Sequence, residues 1–384
     1  MRTRWIYIMF LLLILTGCLK PYEPDIETEE LGYLVVESVL DVSDGKGQIV
    51  LSRTKKLDAV NQETRETNAR VWIEDIPGNR LDFDEDTSGV YLADFSTYEP
   101  TENLTLHILT SDNHRYHSDT VDVLTSPPID SITWQADDGG ITFYVNTHDP
   151  THSTNFYRWE FIETAEYNSL FLSKGIYDEE LGEVVQRDQE TQNIYLCWAE
   201  QQSRKVILGN TSTFTEDIIV GKEVSSIPAD SWKHRFRYSL LVRQYALTAA
   251  EYDYWYNIQQ TNENTGSIFE TQPANIPGNI MAESDPEELV LGYFSISRTT
   301  EKRVFVNQQE LPGWKRAYNI PTGCDEDDET FVDINTFYED PYQQEIIEIV
   351  YDLTGTIIGI TTANRECIVC SYADRGTHIK PEYW

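Results

Sequence analysis

The chain has 384 residues, 65 of them acidic against 29 Lys and Arg, giving a formal net charge of −36. A surface that acidic repels phosphate backbones and anionic headgroups, which excludes nucleic acid as a partner. With 23 Tyr, 14 Phe and 9 Trp against 3 Met, the large apolar side chains suit sheets more than helices, and the length asks for two domains.

Residues 1–17 read as a lipoprotein signal peptide. Arg2 and Arg4 form a positive n-region, and Ile6 to Leu15 is an apolar run too short to anchor in a bilayer. Leu15-Thr16-Gly17-Cys18 then resembles a bacterial lipobox, with small residues where a peptidase meets the backbone and a thiol where a diacylglycerol is attached. The expectation is a lipidated Cys18; an ordinary secretory signal followed by a chance cysteine is the alternative. Each buried methylene of an acyl chain contributes roughly 0.8 kcal/mol, and the two or three chains implied by the lipobox hold firmly. Residues 18–31 follow as an acidic, Pro-containing linker. No later apolar run approaches the length of a membrane span.

From residue 32 the hydropathy alternates with period two. Tyr33–Val39, Gln48–Ser52, Arg70–Glu74, Gly89–Ala93, Asn103–Leu109 and His117–Val123 read as strands, separated by Asp44-Gly45 and Pro77-Gly78-Asn79 turns. Residues 32–125 therefore predict an immunoglobulin-like β-sandwich. Ser126-Pro127-Pro128 ends it as a stiff hinge.

Residues 129–384 predict a larger β-rich domain with one inserted α-helix, so the fold class is mainly β. Its strands include Ser131–Gln135, Gly140–Asn146, Phe156–Ile162, Arg235–Tyr245, Leu289–Ser297 and Arg303–Val306. Residues 173–192 are charged and irregular and read as a long exposed loop. Thr248 with Glu251 forms a capping box for a helix near 249–261, which Gly266 stops. Tyr252, Trp255, Tyr256 and Gln259 share one face of it, a stripe expected to pack on a sheet before serving any ligand. Glu345–Tyr351 and Thr356–Thr361 flank Asp352-Leu-Thr-Gly355 as a hairpin. No period of 20–50 residues marks a solenoid or propeller.

Four cysteines remain beyond Cys18: Cys197, Cys324, Cys367 and Cys370. In an exported chain they predict two disulfides with three possible connectivities; a four-cysteine zinc site using Cys367-x-x-Cys370 is the competing reading. Asp82-x-Asp84-x-Asp86 starts like an EF-hand loop, but Thr87 and Ala93 stand where glycine and a bidentate glutamate are required. The run Asp325–Glu329 has the charge to collect a cation, although such runs are usually solvated loops. His114 with His117, and His148 with His152, lack the helical frame of a zinc protease. There is no nucleophile elbow and no Walker loop. Neither catalytic residues, a cofactor nor a metal is expected. Asp119-Thr120-Val121 and Asp130-Ser131-Ile132 resemble short O-glycosylation sites.

The second half carries a further pattern. Tyr238–Tyr245 with Tyr254-Trp255, Thr265–Glu270 with Gln272-Pro273, Pro277–Ile280, Val290–Ser295, Cys197-Trp198, Gly323-Cys324 and Cys367–Cys370 followed by Lys380–Trp384 together resemble the Bacteroidota lipoproteins called domain of unknown function 4249. Asp374-Arg375-Gly376 departs from the glycine pair of that pattern. The resemblance implies an outer-membrane lipoprotein, encoded beside a TonB-dependent receptor, with no reaction and no catalytic residues to carry over. The expected function is a non-enzymatic accessory to an outer-membrane β-barrel in ligand uptake or assembly. The alternative is a free-standing glycan- or peptide-binding module at the cell surface.

Overall fold

In a computed structural model of the chain, residues 32–55, 64–98, 100, 102–263, 276–314, 321, 323–325, 327–372 and 376–384 are described. The expected signal peptide, Cys18, the 18–31 linker, Thr265–Glu270, Gln272-Pro273 and Asp374-Arg375 lie outside the described residues.

The chain opens as a meander of short strands: β1 (Leu34–Asp41), β2 (Lys46–Arg53), β3 (Arg70–Glu74), β4 (Arg80–Thr87), β5 (Val90–Asp94), β6 (Thr105–Leu109), β7 (Arg115–Ser118) and the two-residue β8 (Leu124–Thr125). Alternation drives them into a sheet. Leu34, Val36 and Leu40 of β1, Ile49 and Leu51 of β2, and Val71 and Ile73 of β3 all point into one core with Tyr91 and Tyr116. The next strands are β9 (Ile129–Asp137), β10 (Gly140–His148), β11 (Phe156–Asn168), β12 (Gly175–Asp178), β13 (Glu183–Gln186), β14 (Leu196–Gln202), β15 (Ile207–Asn210), β16 (Ile218–Pro228) and β17 (Arg237–Leu247). Helix α1 (Ala249–Glu263) follows, then β18 (Ile280–Ala282), β19 (Leu291–Arg298) and β20 (Thr300–Asn307).

The mainly β class holds, but the immunoglobulin-like arrangement expected over 32–125 is replaced by a single curled sheet. Ten strands run in the order β18-β7-β6-β3-β4-β5-β2-β1-β19-β8. β19 lies parallel to β1, with Val36 opposite Gly292 and Leu40 opposite Ile296. Near the other edge, the Asn279 amide acts as a substitute backbone pair, donating to the Phe294 carbonyl at 2.9 Å and accepting from its N–H at 2.7 Å. The sheet thus curls round toward β19 and encloses its own core. Period-two alternation fixes which face is buried but not which strand is the neighbour, so the contribution of residues 280–298 was not visible. The 125/129 boundary accordingly does not close off the first unit.

Two facing sheets do occur, built by residues 129–307. β16-β10-β9 packs on β14-β11-β17-β20, with β15 continuing the β14 edge along β11. Phe143, Val145, Tyr157, Trp159, Tyr238 and Leu240 fill the space between them. The Ser126-Pro127-Pro128 step is fastened instead of hinged. Buried Gln244 donates to the Pro127 carbonyl at 2.8 Å and accepts from the Trp159 indole at 2.9 Å, while Ser126 donates to the Gln244 carbonyl at 2.9 Å. Substituting Gln244→Leu leaves the indole and the Pro127 carbonyl unmatched in a dry interior. We expect a loss of about 2–3 kcal/mol in urea unfolding; a loss indistinguishable from zero would show that the network does not hold the junction.

The expected loop at 173–192 is instead the β12–β13 hairpin, and it belongs to a third sheet. β21 (Thr330–Asp333), α2 (Ile334–Glu339), β22 (Ile346–Tyr351), β23 (Ile357–Thr362) and α3 (Arg365–Ile368) complete it in the order β13-β12-β22-β23-β21. Most of the charge that suggested a loop does face solvent, and Arg187 is the exception. Arg187 is buried and meets Glu345 at 2.8 Å and Ser173 at 2.9 Å. The Asp352–Gly355 hairpin is present, its Asp352 carboxylate accepting from the N–H groups of Thr354 and Thr356.

Candidate functional site

The cysteines pair as Cys197–Cys370 and Cys324–Cys367, with Cα separations of 5.8 and 5.5 Å. The Cys367-x-x-Cys370 residues therefore take different partners and do not form half of a zinc site. They tie the third sheet to β14 and to the 321–325 segment. The histidines do not converge either. His148 faces Asp130 at 2.8 Å, His152 faces Asp217 at 2.9 Å, and His117 lies 3.9 Å from Glu283. Among the described residues no group of three or more His, Cys, Asp or Glu has metal-binding geometry. Asp82, Asp84 and Asp86 sit along β4, where extended geometry spreads them apart. In the acidic run, Asp328 accepts from the Asp325 N–H at 2.6 Å in a local turn. Trp384 is a packing residue: its ring lies 5.6 Å from Phe305 and its indole donates to Glu166 at 3.3 Å.

The feature with the composition of a binding site lies between the units. A cleft of about 760 Å³ opens where β1, β2 and β19 of the curled sheet face the outer surface of β11 and β17, with α1 as one wall. The sheet registers build it. Glu160 stands opposite Arg243, and Arg243 opposite Glu301, so three alternating charges cross three strands in one row. Arg243 donates to Glu301 at 2.6 Å and lies 3.8 Å from Asp41 of β1. Burial alone works against its charge, but the neighbouring Tyr245 oxygen and Glu301 outweigh this and hold the guanidinium firmly protonated.

The next row pairs Arg158 with Tyr245. The buried Arg158 guanidinium lies 4.2 Å from the Tyr245 ring and 4.4 Å from the Trp255 ring, a cation–π arrangement strengthened by desolvation. It pairs with Glu160, while its Nε has no acceptor among the described residues. Burial raises the Tyr245 hydroxyl well above its ordinary range, with Glu160 adding to the effect. The wall is α1, which starts because the Glu251 N–H donates to the Thr248 hydroxyl at 3.1 Å. The Glu251 side chain does not complete the expected box; it turns inward, where the Trp255 indole donates to it at 3.4 Å. The expected aromatic stripe packs in part: Tyr252 and Trp255 lie on Phe156, Tyr245 and Leu247, whereas Tyr256 is exposed.

Burial raises the Glu251 pKa above its ordinary 4.5. A carboxyl so shifted adds stability below 4.5, and that contribution is lost as pH climbs through the folded-state value. Glu251→Gln is therefore expected to flatten the decline in unfolding free energy above pH 4.5. An unchanged slope in urea titrations across pH 4–8 would reject this assignment.

Three of the segments singled out in the sequence converge here. Tyr245 comes from the 238–245 stretch, Tyr254 and Trp255 from α1, and Leu291 to Tyr293 from the 290–295 stretch. Arg158, Glu160, Asp41 and Glu37 were not legible as site residues. A charge alternating with apolar residues on a strand reads as solvent-facing until the register to a distant strand is known. The grouping offers rings for stacking and fixed carboxylate and guanidinium partners for a polar ligand or peptide, each held by the rigid sheet.

No curated protein matches the chain. Among solved structures, a DUF4785 family protein from Legionella pneumophila subsp. pneumophila str. Philadelphia 1 aligns at 10% identity and TM-score 0.18, over 56% of this chain and 52% of that one. A structure of manganese lipoxygenase of Gaeumannomyces graminis with partial zonadhesin of Komagataella pastoris aligns at 12% identity and TM-score 0.14, over 58% of this chain and 91% of that one. The chain thus spans about half the length of the first of these. The family model ends before Cys324 and before β21, β22 and β23 of the third sheet, so the motifs from Gly323 onward lie beyond its match. Through residues 19–303, the chain belongs to the family described as domain of unknown function (DUF4249).

Proposed function

We propose that the protein is a lipid-anchored, non-enzymatic accessory of the outer membrane, tethered through Cys18. It works with a β-barrel of the TonB-dependent receptor kind in ligand uptake or assembly. The observation that carries this reading is the inter-unit cleft, where three family-resembling segments meet charges already matched within the protein. Such a surface suits recognition, because its groups are positioned by sheet register and need little reorganisation on binding. The anchor rests on the lipobox at residues 15–18.

The test is affinity capture of the tagged full chain from outer membranes in mild detergent, followed by mass spectrometry. One barrel at equal stoichiometry is expected. Glu37 and Gln48 line the cleft and project outward, so the double variant Glu37→Arg/Gln48→Arg should keep the fold and reduce capture about tenfold or more. Recovery of the protein alone sinks the accessory reading. The rings of Tyr254 and Trp255 beside Gln202 and Glu160 in the cleft would then favour the free-standing glycan- or peptide-binding module.

A further inference from the structure

A second cavity, of about 480 Å³, lies at the open edge of the sandwich. There the β14–β15 edge of one sheet and the β16 edge of the other run past each other without forming a ladder. Arg204 and Lys205 come from the turn between β14 and β15, Lys222 from β16, and Gln259 from α1. Its apolar lining is Val206, Ile207 and Val224, the last two belonging to the sandwich core. Glu223 is the single acid in the lining.

This inverts the sign of the rest of the molecule. The chain carries more than two acids per base, yet three bases and one acid line this cavity. Arg204 and Lys205 are exposed at this edge, so an anion from solvent can reach them beside the apolar floor. We propose that this edge cavity binds a small organic oxyanion: a carboxylate, sulfate ester or phosphate ester on a ring-sized apolar body. The Arg204, Lys205 and Lys222 cations meet the oxyanion, Ser225 and Gln259 offer polar contacts beside it, and Val206, Ile207 and Val224 cover the body. A strongly negative protein keeps anions away from most of its surface, so a local positive cavity also gives selectivity for where such a ligand docks. This site is independent of the inter-unit cleft and stands whether or not the accessory reading does.

The test uses the full chain in mild nonionic detergent and isothermal titration with benzoate, phenyl sulfate and phenyl phosphate, against neutral benzyl alcohol. At least one oxyanion is expected to bind about tenfold or more tightly than benzyl alcohol, and to weaken as salt rises from ~20 mM to ~500 mM. The three probes separate the carboxylate, sulfate and phosphate sources. Arg204→Glu/Lys205→Glu, at two exposed positions, should abolish this preference, whereas Lys55→Glu beside the curled sheet should leave it intact. Should the double variant melt early, Arg204→Glu alone serves and should weaken binding severalfold. No oxyanion preference in the parent protein, or an undiminished preference in a folded charge-reversal variant, overturns the proposal.

Discussion

Alanine at Gly292 is expected to cost about 4 kcal/mol or more, or to prevent folding outright. The residue adopts φ +124°, and a Cβ there would stand 2.0 Å from the Val36 carbonyl oxygen of β1. Backbone cannot swing aside as a side-chain tip can, so β19 would have to leave β1. The neighbouring approach is equally tight, because a Cβ on Gly278 would fall 1.6 Å from the Gly292 carbonyl oxygen. Gly278→Ala should therefore behave alike. Gly355 is the control: its φ is +85° but no atom lies within 4 Å of the added carbon, so only the left-handed penalty of about 1–2 kcal/mol applies. Urea unfolding of the three variants gives the comparison. Gly292→Ala losing no more than Gly355→Ala would mean that β19 is not held against β1 in this way.

Replacing both cysteines of a bridge by alanine should be the other severe change. Cys197–Cys370 closes a separation of 173 residues, and Cys324–Cys367 one of 43. In the chain-entropy account these cross-links restrict the unfolded ensemble by about 5 and about 4 kcal/mol. The longer bridge also ends at a packed point, where the Tyr167 hydroxyl donates to the Cys370 carbonyl at 2.8 Å. Cys197→Ala/Cys370→Ala is thus expected to lose the more, measured by guanidinium unfolding of the oxidised proteins. A larger loss on removing Cys324–Cys367 would overturn that order and show that packing in the folded protein outweighs loop length.

Local order was legible where local chemistry decides it. The 249–261 helix emerges at Ala249–Glu263 because its cap and its aromatic spacing lie within a few turns of one another. The strands of the first hundred residues were readable from alternation, with one omission. β4 was hidden because only Phe83 among its eight residues is buried, so it presents no apolar rhythm. The β12–β13 hairpin was hidden for a related reason: its cover comes from residues 330–362, far along the chain. The cysteine partners and the Glu160–Arg243–Glu301 row depend on which strands become neighbours. That choice is made by the whole core, not by any window of sequence.

The parallel pairing of β1 with β19 has a consequence for the order of events during synthesis. β1 is among the first strands to emerge, but its partner starts at Leu291, about 165 residues after β8 ends. Counted from the end of β1 at Asp41, and at a synthesis rate of ~5–20 residues per second, that edge waits for roughly ten to fifty seconds. Throughout that interval Val35 to Asp41 present unpaired donors and acceptors beside a half-covered apolar face, the surface most prone to join another chain. The long sequence separation of this contact also belongs to the slow class of folding reactions. Until Arg298 has been made, the first strand is therefore the part of the nascent chain most open to mispairing.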